Sequence, residues 1–233
     1  MIGTLNPTTD YPLIAKSVDY VKEMTKMFQE KGCRIEIPIE HRYWEYGSAV
    51  ELARSYRKEH SQQVIRVLNV GSGWDALSPT LATLLTMHVT ECEPDEQCRI
   101  DRGMVNSVLD SINGNPIRVL SNTLEDLPLA EYDLVFCISV LEHVDNELPA
   151  WLSLAHRVVD KGILFITVDC IPDPARKYEF DWMRKTNYTP TMLKERVQLI
   201  KTYGFNVIGE EDYEYHGDFT HGYSFFRVGF EKV

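Results

Sequence analysis

From Val64 onward, short β-rich runs alternate with helical stretches, and that alternation admits few folds. Strands separated in sequence by a helix run parallel, and the helices cover both faces of the sheet they form. Val64 to Val70, Met87 to Cys92, Ile117 to Ser121, Tyr132 to Ser139 and Ile163 to Val168 read as five such strands. The fourth has almost no polar alternation, as a central strand buried on both faces requires. Ser78-Pro79 and Thr189-Pro190 each set a capping residue before a proline at the first helical position. Leu148, Trp151, Leu152, Ala155 and Val159 recur at helical spacing. Two aromatic-rich β runs, Phe205 to Tyr215 and Tyr223 to Val233, close the chain as an antiparallel pair around a glycine-containing turn. Residues 1–60 lack strand character. Val18, Val21, Met24 and Phe28 mark one amphipathic helix there, and Ala49, Leu52 and Tyr56 a second.

The first strand runs straight into a G-x-G turn, Val67-Leu68-Asn69-Val70-Gly71-Ser72-Gly73-Trp74-Asp75. Glycine in such a turn lets the backbone approach a ligand and adopt positive φ without a Cβ penalty. Glu93 follows Gly73 by 20 residues at the end of the second strand, where a carboxylate can accept both hydroxyls of a ribose. Gly71-x-Gly73-x-x-Ala76 also satisfies the dinucleotide fingerprint, which keeps a nicotinamide-dependent oxidoreductase open. In a dinucleotide site, however, a helix opens directly from the glycines and its N-terminus holds the pyrophosphate. Here Ser78-Pro79 puts that terminus later and leaves a longer loop containing the bulky Trp74. Such a loop suits an uncharged ribose and an amino-acid tail better than a pyrophosphate.

These residues resemble the S-adenosylmethionine-dependent methyltransferases of the class I, Rossmann-like superfamily, over roughly Val64 to Val233. Gly71-Ser72-Gly73 resembles the family's first motif, and Glu93 with Pro94 its ribose-binding acidic position. Leu124-Glu125-Asp126-Leu127-Pro128 before Tyr132-Asp133-Leu134-Val135 resembles its adenine segment. Val140-Leu141-Glu142-His143-Val144 resembles a sequence bordering the transfer site, and Arg157 to Gly162 the turn into the fifth strand. The resemblance implies a three-layer α-β-α sandwich with a seven-stranded, mostly parallel sheet whose last strand is antiparallel. It implies an N-terminal helical lid over residues 1–60 and an S-adenosylmethionine-binding domain over 61–233. The implied cofactor residues are Asn69, Gly71, Ser72, Gly73, Trp74, Asp75, Glu93, Pro94, Thr123, Leu124 and Ser139. Three of them depart from the pattern: Asn69 stands in place of an acidic residue, Asp75 in place of a third glycine, and Thr123 where Asp is more usual. Asn69 can order the loop, and Asp75 can supply the charge that meets the cofactor's ammonium.

Methyl transfer from a sulfonium is an in-line displacement whose main demands are alignment and exclusion of water, although an oxygen or nitrogen acceptor can also call on a base. His143 is the candidate by position, beside a purely structural reading, and Glu142 shares that ambiguity. His216 and His221 flank the last connection, which the family topology places at the ligand-binding face of the sheet. With Asp218 they are metal ligands by residue type, but their spacing matches no ligand pattern, and no metal site is expected. Tyr46, in the aromatic stretch Glu40 to Tyr46, and Tyr178 and Trp182, in the cluster of Tyr178, Phe180, Trp182 and Tyr188, are the candidate acceptor contacts.

A chain of 233 residues, 44% hydrophobic, is long enough for one substantial core. Its net charge of -11 opposes phosphate backbones and anionic membrane surfaces, which points to a small-molecule or glycan-type acceptor rather than nucleic acid or a membrane. No signal peptide or run long enough to span a bilayer is legible, and the five cysteines contain no C-x-x-C pair, as suits a reducing cytoplasm. Oligomeric state leaves no mark in the sequence. The expectation is thus a cytoplasmic methyltransferase. A non-catalytic S-adenosylmethionine-binding protein is the alternative, and the nicotinamide oxidoreductase stands behind both.

Overall fold

The computed structural model of the chain describes residues 2–4, 7–36, 42–171, 184–213 and 224–233. In chain order the elements are β1 (Ile2–Thr4), α1 (Pro7–Glu30), α2 (Arg42–Glu59), β2 (Arg66–Val70), α3 (Leu77–Leu84), β3 (His88–Cys92), α4 (Glu96–Ser111) and β4 (Arg118–Leu120). There follow β5 (Tyr132–Ile138), a 3-10 turn at Leu141–His143, α5 (Glu147–Ala155), β6 (Val158–Cys170), α6 (Pro190–Thr202), β7 (Phe205–Val207) and β8 (Ser224–Lys232).

The sheet runs β4-β3-β2-β5-β6-β8, with β2 through β6 parallel and β8 antiparallel to β6. β7 pairs antiparallel with β8 and so points the same way as the parallel set. The seven strands expected from the sequence are therefore present in that arrangement. An eighth, β1, joins them: Ile2–Thr4 pairs with Phe226 to Val228, on the edge of β8 that β7 occupies farther along. Three residues are too few for a period-two pattern to register, which is why residues 1–60 read as strand-free.

Alternation along β5 divides the core in two. Val135 and Cys137 face a cluster with Trp151 and Leu154 of α5 and Leu193, Val197 and Ile200 of α6. Leu134, Phe136 and Ile138 face the other cluster, which holds Val21 and Phe28 of α1, Ala49, Ala53 and Tyr56 of α2, Leu81 of α3 and Val105 of α4. Helices thus cover both faces, and the first two helices bury apolar surface against the sheet as the later ones do.

Local signals set several boundaries. Thr189 caps α6 by accepting from the Met192 amide at 3.3 Å, with Pro190 in the first turn, as the sequence indicated. Ser78 does not cap α3: the helix already begins at Leu77, and the Ser78 hydroxyl instead accepts from Asn69. Val159 is not helical, because α5 stops at Ala155 and β6 starts at Val158. A register shift between Tyr132 and Leu134 lets β6 begin five residues before the apolar run from Ile163. The run from Phe205 forms a strand only to Val207.

Candidate functional site

Strand order reverses around β2, with β3 on one side and β5 on the other, and the crevice at the carboxyl ends of these strands is where an open parallel sheet admits a ligand. The loop leaving β2 fills its mouth. Gly71 (φ 61°) and Gly73 (φ 50°) both adopt left-handed backbone. Glu93, at the end of β3, accepts from the Gly73 amide at 2.7 Å with one carboxylate oxygen and from the Asp95 amide at 2.9 Å with the other. Each oxygen keeps acceptor capacity for a further donor. Outside the loop, the Glu36 amide donates to the Trp74 carbonyl at 2.7 Å, the Arg34 guanidinium stacks 3.5 Å from the Trp74 ring, and the indole N-H donates to Asp101 at 2.8 Å.

Beneath the loop lies a buried polar cluster. Asn69 donates to Asp75 at 2.8 Å and to Ser78 at 2.9 Å. Arg102 of α4 donates to Glu91 of β3 at 2.8 Å and to the Gly73 carbonyl at 3.2 Å, and stands 3.8 Å from Asp75. Burial holds the Asp75 carboxyl up at about 7, against the opposing pull of Arg102. The same burial raises Glu91, one of whose oxygens has no hydrogen-bond partner.

Two cavities open at this place. The larger, about 420 Å³, is bounded by Gly71, Glu93, Pro94, Thr123, Leu124, Ser139 and His143 among others. The smaller, about 200 Å³, is bounded by Arg42, Tyr46, Ser139 and the loop from Gly71 to Asp75. They share Gly71 and Ser139. Ser72 contributes a buried hydroxyl without a hydrogen-bond partner to the smaller one, and burial pushes the Tyr46 phenol up, so that it stays a neutral donor. Thr123 turns its hydroxyl toward Asp126 at 3.3 Å.

The structure gathers ten of the eleven predicted cofactor residues around the two cavities, together with His143 and Tyr46. Asn69 lines neither and reaches the site only through Asp75. Tyr178, Trp182, His216 and His221 lie outside the described residues. Tyr188 is wholly buried, receives a hydrogen bond from Trp151 at 3.1 Å, and belongs to the core rather than to an acceptor wall. Sequence reasoning assigned no role to Arg42, Glu45, Thr167, Glu91 or Arg102. Glu45 is completely buried on α2, pairs with Arg42 at 2.9 Å, and accepts from the hydroxyls of Ser139 and Thr167. Glu142 turns away from the larger cavity toward the Asp169 amide, and burial, then the Asp169 charge, pushes its carboxyl up to about 8.

Residues 68–167 match the family described as Methyltransferase domain. A ubiquinone biosynthesis O-methyltransferase of Rickettsia bellii is 30% identical over 119 residues, which are 51% of this chain and 47% of that protein. The chain thus spans about half the length of the curated relatives it matches. Among solved structures, the cyclase SpnF is similar at a TM-score of 0.62 and 12% identity, covering 100% of this chain and 99% of the other. Magnesium protoporphyrin IX methyltransferase from Synechocystis PCC 6803, solved with bound SAM, is similar at 0.55 and 15%, covering 93% and 97%. At such identities the structural likeness is one of fold.

Proposed function

We propose that the chain is a class I, Rossmann-like S-adenosylmethionine-dependent methyltransferase and that it moves a methyl group from S-adenosylmethionine to an oxygen or nitrogen of a small-molecule or glycan-type acceptor, a reading supported by the family match over residues 68–167 and by the partial likeness to an O-methyltransferase. The observation that carries this reading is the pair of cavities meeting at Gly71 and Ser139: one has the size and lining for an adenosine, and the other presents an acid and a base to an amino-acid tail.

The residues fit that ligand. Glu93 has acceptor capacity for the ribose hydroxyls, and Pro94, Thr123 and Leu124 border the base. Asp75 meets the ammonium, Arg42 meets the carboxylate, and the unpartnered Ser72 hydroxyl is satisfied by the same tail. Asn69 acts by orienting Asp75. Gly71 and Gly73 bring backbone to the ligand, and Trp74 closes the loop's outer side.

When bound, S-adenosylmethionine supplies an electrophilic methyl on a cationic sulfur. The chain aligns that methyl with an acceptor and keeps water out, and orientation of this kind contributes on the order of 7–11 kcal/mol. Tyr46 borders the cavity at the reacting end, with Tyr178 and Trp182 as the further acceptor contacts we assign. His143, His216 and His221 are the residues proposed to take a proton from the acceptor. Residues 1–60 serve as both a lid and part of one helical layer, and 61–233 as the cofactor domain.

Five free, buried cysteines support a cytoplasmic location, and the charge of -11 supports a small-molecule partner over nucleic acid. Among the described residues no helix is long and apolar enough to cross a membrane. The second reading is a protein that binds S-adenosylmethionine in the same two cavities without transferring its methyl group.

Thermal-shift and calorimetric titrations with S-adenosylmethionine, S-adenosylhomocysteine, NAD and NADP test the cofactor, because a ligand stabilises the state it binds. Stabilisation by the first two alone is expected, and stabilisation by NAD or NADP would reverse the reading. Transfer of a labelled methyl to a panel of amines, phenols and sugars then tests catalysis. Tight S-adenosylhomocysteine binding with no labelled product across the panel selects the second reading.

A further inference from the structure

Glu45 touches neither cavity, yet it is the hub of the contacts that hold one of them in shape. One oxygen accepts from Ser139, at 2.7 Å, and from Thr167, and the other accepts from Arg42 at 2.9 Å. These contacts tie α2 to the carboxyl ends of β5 and β6, across 94 and 122 residues of sequence. Ser139 sits in left-handed backbone at φ 50° and walls both cavities, and the Arg42 side chain enters the smaller one.

A purely structural role explains this arrangement poorly. Taking a carboxylate fully out of water is costly, and a well-packed apolar residue in place of a buried ion pair is often neutral or stabilising. Burial does push the Glu45 carboxyl up, with Arg42 and the two hydroxyls pulling the other way. An apolar side chain could not supply a fixed direction for a guanidinium and for a strained serine. Arg42, held by Glu45 on one side and with its guanidinium 5.5 Å from the Phe225 ring, borders the smaller cavity beside the glycine loop, where a planar fork can meet a carboxylate.

We propose that Glu45 is a positioning residue that holds Arg42 where the carboxylate of the cofactor's amino-acid tail lies, so that Glu45 sets affinity for the tail and leaves affinity for the adenosine half unchanged. The inference rests on the reading of the smaller cavity given under Proposed function. Thr167 and Ser139 complete the device by fixing the carboxylate that fixes the arginine.

S-adenosylhomocysteine and 5′-methylthioadenosine share the adenosine and the sulfur, but only the first carries the amino-acid tail. Calorimetric titration of both into wild type and Glu45→Gln separates positioning from general damage. Glutamine keeps an acceptor for the two hydroxyls and removes the charge partner of Arg42. Homocysteine-ligand affinity should fall about 10- to 100-fold while methylthioadenosine affinity changes less than about twofold. Arg42→Ala should show the same split, and the double variant should lose little more than either single one, since the two act as a unit.

Equal losses for both ligands, or an unchanged homocysteine-ligand affinity, would overturn the positioning role while leaving the cofactor assignment standing. Wild type that binds neither ligand would overturn that assignment and the inference together. If Glu45→Gln fails to fold, Thr167→Val, which removes one of the hydroxyls fixing Glu45, is to be read against the same two ligands and the same two outcomes.

Discussion

A β-carbon built on Gly71 would stand 2.5 Å from Cγ2 of Val140, closer than real β-carbons approach anything. The turn leaving β2 and the turn leaving β5 therefore touch at a point where only a hydrogen fits. Gly73, two residues on, has no atom within 4 Å of its would-be β-carbon, which would enter the open space of the smaller cavity. Both have positive φ, but at Gly71 a packed neighbour also excludes a side chain, whereas at Gly73 the backbone conformation alone selects glycine.

The two glycines should consequently fail in different ways. Gly71→Ala combines overpacking with left-handed strain and should cost about 2–4 kcal/mol of stability in denaturant titrations. Val140→Ala in the same chain should return part of that loss, a coupling that a double-mutant cycle measures. Gly73→Ala should cost only about 1 kcal/mol of stability and instead weaken S-adenosylmethionine binding at least about tenfold. Equal stability losses at the two positions would contradict this division.

Glu93→Ala should lower cofactor affinity about 10- to 100-fold, by removing both the ribose acceptor and the carboxylate that holds the Gly73 amide. Glu93→Gln keeps one acceptor and should fall between it and wild type. A folded Glu93→Ala protein with unchanged affinity in calorimetry would place the ribose elsewhere.

Cofactor affinity should depend on pH through Asp75. Its carboxyl is held at about 7, and a ligand ammonium binds the ionised form better. Affinity should rise with pH through that value and level off above it, falling by up to roughly tenfold per pH unit on the acid side. Asp75→Asn should bind more weakly with a flat profile between pH 6 and about 8. A flat profile in wild type would mean that the ammonium lies away from this side chain.

Stability of the ligand-free protein should run the other way. Asp75 is raised from 3.8 to about 7 and Glu142 from 4.5 to about 8, so between those values the folded chain holds protons that the unfolded chain has released. Their contribution is present in acid and is lost as pH rises through the folded values. The melting temperature should fall between pH 5.5 and about 8.5, and Glu142→Gln should lessen the fall. A wild-type melting temperature that rises across that window would contradict the placement of these carboxyls.

The sequence by itself determined the parallel sheet, the glycine loop and the acidic residue at the end of β3, because each is written in neighbouring residues. Periodicity marks the strands, positive φ selects Gly71 and Gly73, and Glu93 is placed by the length of one β-α unit. Only the tertiary structure decided which charges surround the loop. Arg102 meets Glu91 across 11 residues of sequence and Gly73 across 29, and Glu45 meets Thr167 across 122. Nothing local distinguishes a buried arginine or glutamate from one on a solvated helix face. What keeps such a side chain out of water is a partner that compensates its lost hydration, and that partner arrives only when the sheet closes and brings distant elements to one edge. The extra strand β1 was hidden for the same reason, since three residues form a strand there only because β8 already presents an edge to pair with.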